Sequence, residues 1–143
     1  TDRDGTDSTD RVLEALAQAE SSIAAIEQSI RNIHNAEINS RLRRIVGQAR
    51  QILTMLEEDP RDLRRARKFL NVYLDGAKQV TEGYAKTHGR LNTPELENNF
   101  RQVLATIEEV FGEQRQKLLE ADVTDLDVQI EVLTTQLKRE GVV

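Results

Sequence analysis

Residues 12–33 read VLEALAQAESSIAAIEQSIRNI, and their apolar positions, Val12, Leu16, Ala19, Ile23, Ile26, Ile30 and Ile33, decide the fold class. The spacing alternates four and three without a break. That period keeps one apolar stripe on one side of an α-helix and does not fit the two-residue alternation of a strand. Thr9 is a plausible N-cap, and the polar residues 1–8 before it read as a disordered tail. A helix of about 25 residues is roughly 38 Å long.

The stripe slips between Ile33 and Ile38, a gap of five that one helical face does not allow. Asn32, Asn35, Asn39 and Ser40, weak helix formers, cluster there. The slip predicts a tight turn near His34 and Asn35, with Asn35 capping a second helix, in preference to one kinked helix of about 50 residues. Helix 2 carries Ile38, Leu42, Ile45, Ala49, Ile52 and Leu56. Asp59-Pro60 and Thr93-Pro94 each place a capping side chain before a proline, so each opens a helix. The third carries Leu63, Ala66, Leu70, Tyr73, Ala77, Val80 and Tyr84, and Gly89 is a natural stop. The fourth carries Leu96, Phe100, Val103, Ile107 and Val110, then Leu118 and Ala121 less regularly. Thr124 and Asp127 form a capping box for a fifth, with Leu126, Ile130, Leu133 and Leu137, ending at Gly141.

These readings predict an all-α chain: an elongated antiparallel bundle of about five helices forming a single domain over residues 9–141, with shallow crossings near +20°. Four long stripes can cover one another, with helix 5 capping one end, so a monomer suffices and a homodimer stays open. Gly76 and Gly83, seven apart inside helix 3, suggest close helix approach or a bend.

Composition narrows the function. Charged residues are 31% and aromatics 3%, so the core is aliphatic. The net charge of −5 opposes nucleic-acid binding, which depends on neutralising phosphates. The absence of cysteine excludes disulfides, thiolate metal sites and a thiol nucleophile, and it suits a reducing cytosol. No apolar run is long enough to span a bilayer, and the start at Thr1 suggests an excised piece whose membrane anchor lies elsewhere.

His34 and His88 fall at predicted helix ends, where a cation suits the dipole; neither has a spaced partner for zinc. Asp122, Asp125 and Asp127 put three carboxylates in six residues. They are a candidate oxygen-ligand site for Mg²⁺ or Ca²⁺, against the simpler reading that they serve a helix N-terminus. Arg61, Arg64, Arg65, Arg67 and Lys68 crowd the start of helix 3, against its dipole, and Arg41, Arg43, Arg44 and Arg50 lie on helix 2. They form a candidate anion, membrane-surface or partner-binding patch, unless the acidic segment 120–131 pairs with them internally. No phosphate-binding glycine loop is present.

Two segments carry a family resemblance. One is Pro60, Asp62, Leu63, Arg64, Ala66, Arg67, Lys68, Phe69, Leu70, Asn71, Tyr73 and Leu74; the other is Asp122, Val123, Asp125, Leu126, Asp127, Ile130, Glu131, Val132 and Leu133. Both resemble the XpaC family, named for 5-bromo-4-chloroindolyl phosphate hydrolysis, over most of residues 10–141. The resemblance implies hydrolysis of a phosphate ester and company with TelA-like proteins linked to toxic-anion resistance; hydrophobic N-terminal segments, common in the family, are absent from this sequence. It supplies no catalytic residue set, and the residues themselves show no nucleophile beside a base. The expected function is therefore a non-catalytic helical interaction domain, cytoplasmic at the membrane face, binding a helical protein such as a TelA-like one and needing no cofactor. The alternative is a phosphate-ester hydrolase that uses the three aspartates around a divalent metal.

Overall fold

The structure is a computed structural model that describes residues 2–88, 90 and 93–141, with side chains over 10–87, 90 and 93–141. Four α-helices follow in order: α1 Asp2–Asn32, α2 Ala36–Glu58, α3 Leu74–His88 and α4 Pro94–Arg139. A 3-10 turn, Pro60–Leu63, and a π-helical segment, Phe69–Tyr73, lead into α3. Among the described residues there is no strand. The helices pack antiparallel, α1 between α2 and α3, and α2 against α4. The π segment reaches α4 and closes the core.

The α1–α2 hairpin forms where the apolar stripe slips. Asn35 is the N-cap of α2, its side chain accepting from the Ile38 N–H at 3.1 Å. Asn39 Nδ2 donates to the Ile33 carbonyl at 2.8 Å, answering an orphan acceptor at the end of α1. His34 lies in the turn itself rather than in the last turn of α1, and it is exposed. The His88 side chain and the Gly89 stop lie outside the described residues. α1 is helical from Asp2, upstream of the start expected at Thr9. Both proline caps form, but Asp59-Pro60 opens the short 3-10 turn rather than a long α-helix, while Thr93-Pro94 opens α4. Asp59 accepts from the Arg61 N–H, and Thr93 Oγ1 accepts from the Leu96 N–H.

α1 and α2 bury the expected stripes, Ala19 to Ile33 and Ile38 to Leu56. The stripe leading into α3 keeps Ala66, Ala77 and Tyr84 in the core and Leu70 and Tyr73 partly buried, as expected, but Phe69, Leu74 and Thr81 are buried with them and Val80 is not. Its buried positions are Ala66, Phe69, Leu74, Ala77, Thr81 and Tyr84. The step of five from Phe69 to Leu74 is the π turn, closed by the Leu74 N–H donating to the Phe69 carbonyl. One extra residue in that turn rotates everything after it, so Val80 is 39% exposed. What holds Phe69 inward is an edge-to-face contact with Phe111, ring centroids 4.9 Å apart at 76°.

α4 departs from expectation twice. Its buried face is Phe100, Leu104, Phe111, Gln114 and Leu118, with Ile107 partly buried and Val103 40% exposed. This stripe is as regular as the expected one, but Gln114 interrupts it in the sequence. Gln114 is accommodated because its amide donates to the Arg65 carbonyl. The second departure is the helix count. No break separates helices 4 and 5: α4 runs 46 residues to Arg139. Thr124 does not cap. Its hydroxyl donates back to the Glu120 carbonyl four residues earlier, so the helix passes through the position where a capping box would stop it. The expected stop at Gly141 holds, with a φ of +73° that suits glycine.

Beyond Leu118 the helix leaves the bundle. Val123, Leu126, Ile130 and Leu133 are each more than half exposed. The expectation that this segment caps one end of the bundle is therefore overturned. At about 1.5 Å per residue the free arm is roughly 30 Å long.

Phe111→Ala should cost about 3–5 kcal/mol, because it opens a cavity and removes the partner of Phe69; Val103→Ala should cost less than about 1 kcal/mol. Urea denaturation compares the two. Gly76 and Gly83 have no neighbouring atom within 4 Å of where a Cβ would stand, so they do not mark a close helix approach. Gly76→Ala and Gly83→Ala should each stabilise the chain by about 0.5–1 kcal/mol, seen as a raised urea midpoint.

Candidate functional site

The charged residues of interest meet where α2 ends, the 3-10 turn begins and α4 leaves the bundle. Asp59 closes α2 and opens the turn. Asp62 lies inside the turn, and Asp122 comes from α4, just past the last core residue Leu118. A carboxylate oxygen from each of the three lies within 4.8 Å of the others. Asp62 is fully buried, while Asp59 and Asp122 are half-buried.

Two arginines thread this cluster. Arg65 Nη1 donates to Asp62 Oδ1 at 2.9 Å and to Asp125 Oδ2 at 3.3 Å, joining the turn to α4. Arg61 folds back on Asp59, Nε to Oδ1 at 2.9 Å and Nη2 to Oδ2 at 3.0 Å. This pairing pulls the Asp59 carboxyl below its ordinary range, through the hydrogen bonds from Arg61. Asp62 is pushed the other way. Burial raises it, the Arg65 hydrogen bond lowers it, and the Asp122 carboxylate raises it further. Asp62 Oδ2 is enclosed and has no hydrogen-bond donor among the described residues.

Of the three aspartates singled out in the sequence, Asp122 joins Asp59 and Asp62, and Asp125 sits on Arg65. Asp127 is exposed. The physical reason is the helix itself: residues three or four apart share a face, and Asp127, five beyond Asp122, points elsewhere. Asp59 and Asp62 were legible only as a cap and as part of a basic run; nothing local marks them as neighbours of Asp122.

The basic run divides. Arg61 and Arg65 are occupied as above, so part of the internal pairing with segment 120–131 is present. Arg64, Arg67 and Lys68 are exposed, with no ion pair among the described residues. Arg11 of α1 joins Arg61, Arg64 and Arg67 around a groove of about 340 Å³ between α1 and the turn. Arg11 was not foreseen, because no local pattern ties it to residues fifty positions away. On α2, Arg41 pairs with Glu37, Arg44 with Glu108, and Arg50 with both Glu20 and Glu27. The Arg41 pair lies within α2, Arg44 and Arg50 join α2 to α4 and α1, and Arg43 stays exposed.

Fold and site together define a class: an all-α bundle with an aspartate–arginine junction at the root of a projecting helix. The family model described as 5-bromo-4-chloroindolyl phosphate hydrolysis protein matches residues 3–133, and the chain belongs to that family. Searches of curated proteins and of solved structures found no match. No described helix is long and apolar enough to cross a membrane.

Arg65→Ala leaves the buried Asp62 without the guanidinium that holds its Oδ1 and should cost about 1.5–3 kcal/mol. Arg61→Ala, at an exposed pair, should cost less than about 1 kcal/mol. Paired urea melts of the two variants measure the difference.

Proposed function

We propose that this chain is a non-catalytic helical interaction domain that receives a partner helix on the free arm of α4. The observation that supports it most is the seam Leu119, Val123, Leu126, Ile130, Leu133 and Leu137, a four-three heptad stripe along the arm that is open to solvent from Leu119 to Leu133 and partly buried at Leu137. Written as a heptad, Val123, Ile130 and Leu137 take the a positions and Leu119, Leu126 and Leu133 the d positions. Mostly β-branched a residues with leucine at d favour a two-stranded coiled coil.

The flanks argue for a different protein as the second strand. Glu120, Asp122 and Asp127 occupy the positions beside the seam, and no lysine or arginine falls there between 119 and 137. A parallel pair of identical arms would set Asp122 of one against Asp127 of the other, a like-charge contact. A helix with leucine or isoleucine at its own a and d positions and lysine or arginine beside them meets both demands. A TelA-like protein, which the family resemblance implies, is the named candidate, and through it a link to toxic-anion resistance at the membrane face.

Leu126→Glu with Leu133→Glu should abolish capture of that partner while leaving the melting temperature of the isolated chain within a few degrees, because neither side chain is in the core. Pull-down with a purified TelA-like protein, alongside sedimentation of the chain alone, measures both. Undiminished capture by the double variant sinks the arm reading. A wild-type chain that dimerises through the arm replaces the partner with a second copy.

A second reading is supported by the arginine groove: a phosphate-ester hydrolase acting on 5-bromo-4-chloroindolyl phosphate, with Arg11, Arg64 and Arg67 gripping the phosphate. Release of the indolyl product by purified protein, lost in Arg64→Ala/Arg67→Ala, is the outcome it requires.

A further inference from the structure

We infer that Asp59, Asp62 and Asp122 bind a hard divalent cation, of the calcium, magnesium or manganese class, at the root of the α4 arm. Three carboxylates drawn from the end of α2, the 3-10 turn and α4 each present an oxygen within 4.8 Å of the other two. Oxygens on opposite sides of a bound Ca²⁺ stand about 5 Å apart, and those on adjacent sides are closer, so one ion can touch all three.

Proximity of acids is common and carries little alone. The second observation is the state of Asp62. Its side chain has no exposed surface, and Oδ1 is held by Arg65. Its Oδ2 is enclosed with no donor among the described residues. A buried carboxylate oxygen without a partner is a costly arrangement that folded proteins rarely keep. The group that Asp62 faces is the carboxylate of Asp122, which when ionised can only accept. Two ionised carboxylates can meet there only across a shared proton or a cation, and the third carboxylate, Asp59, within reach of both favours the cation.

Charge and ligand type agree. Asp59, Asp62, Asp122 and Asp125 face two guanidinium groups, Arg61 and Arg65, which leaves two negative charges at the junction. The donors are all oxygen, which selects a hard cation over zinc or copper. Asp59 and Asp122 are half-exposed, so water completes the shell. Arg61 does not block the site: it is 74% exposed, and although Asp59 Oδ1 accepts from both the Arg61 backbone N–H and Nε, Oδ2 accepts only from Nη2 and keeps a second lone pair for the ion. The bound ion ties α4 to the end of α2 where the arm begins, whichever helix the arm receives.

The test uses the whole chain, stripped with chelator and titrated separately with CaCl₂, MgCl₂ and MnCl₂, with KCl at matched ionic strength as reference. One of the three should raise the melting temperature saturably, on the order of 5–10 °C at a hundredfold excess over Kd, and calorimetry should show one ion per chain. Asp122→Asn should abolish that response. It should also melt above wild type in chelator, because the amide gives Asp62 Oδ2 a donor. Asp59→Asn keeps a capping side chain and should weaken binding at least tenfold; Asp127→Asn should bind as wild type does. No thermal shift and no heat with any of the three ions overturns the site. So does a response that survives in both Asp122→Asn and Asp59→Asn, since the ion then binds elsewhere.

Discussion

α4 is 46 residues long, and α2, the helix it packs against, is 23. At about 1.5 Å per residue that is roughly 69 Å of helix on a 35 Å partner, so half of α4 has nothing from α2 to lie on. The rest of the architecture follows from this mismatch. The core ends at Leu118, the arm begins at Leu119, and the charged junction sits between them because that is where an apolar contact gives way to water. There the Arg65–Asp125 pair joins the turn to α4 near the surface.

α4 carries two apolar seams in succession. The first, Phe100 to Leu118, faces α2 and the π segment. The second starts one residue later, at Leu119, and continues to Leu137. A shift of one residue rotates a helical stripe by about 100°, so a straight helix cannot lay both on the same neighbour. Burying the second seam requires either a break in α4 or a second partner. The helix does not break: Thr124 bonds back to the preceding turn, and no glycine or proline lies between Gly112 and Gly141. The arm is in this sense a consequence of helix continuity as much as of hydrophobicity.

The five aromatic residues illustrate how few fixed points the bundle needs. Phe69 on Phe111 ties the π segment to α4, and Tyr84 stacks on Phe100 with centroids 4.1 Å apart. Each pair joins the region after Pro60 to α4, the two parts with the least regular contact. Between α1 and α2, where the stripes are regular and aliphatic, no aromatic is needed. Large rings fill irregular gaps with area and a preferred geometry that leucine and isoleucine do not provide.

The sequence by itself determined the helical class, the α1–α2 hairpin at Asn35, the two proline caps and the buried faces of α1 and α2. All of these are written in signals that act within a few residues: a four-three period, a capping side chain, a fixed φ. Only the tertiary structure decided the register after Phe69, because Leu70 and Phe69 are both apolar and the choice is made by Phe111, forty-two residues away. It also decided that Leu104 and Phe111, not Val103 and Val110, face the core, and that a capping box at Thr124 goes unused. The candidate site divides the same way. Asp122 and Asp125 were legible as a cluster because a helix turn brings them together. Asp59 and Asp62 joined Asp122, and Arg11 joined Arg61, Arg64 and Arg67, only when the chain folded back. Local signals fix which side of a helix is apolar; which charged groups meet across helices depends on how far each helix runs before its partner ends.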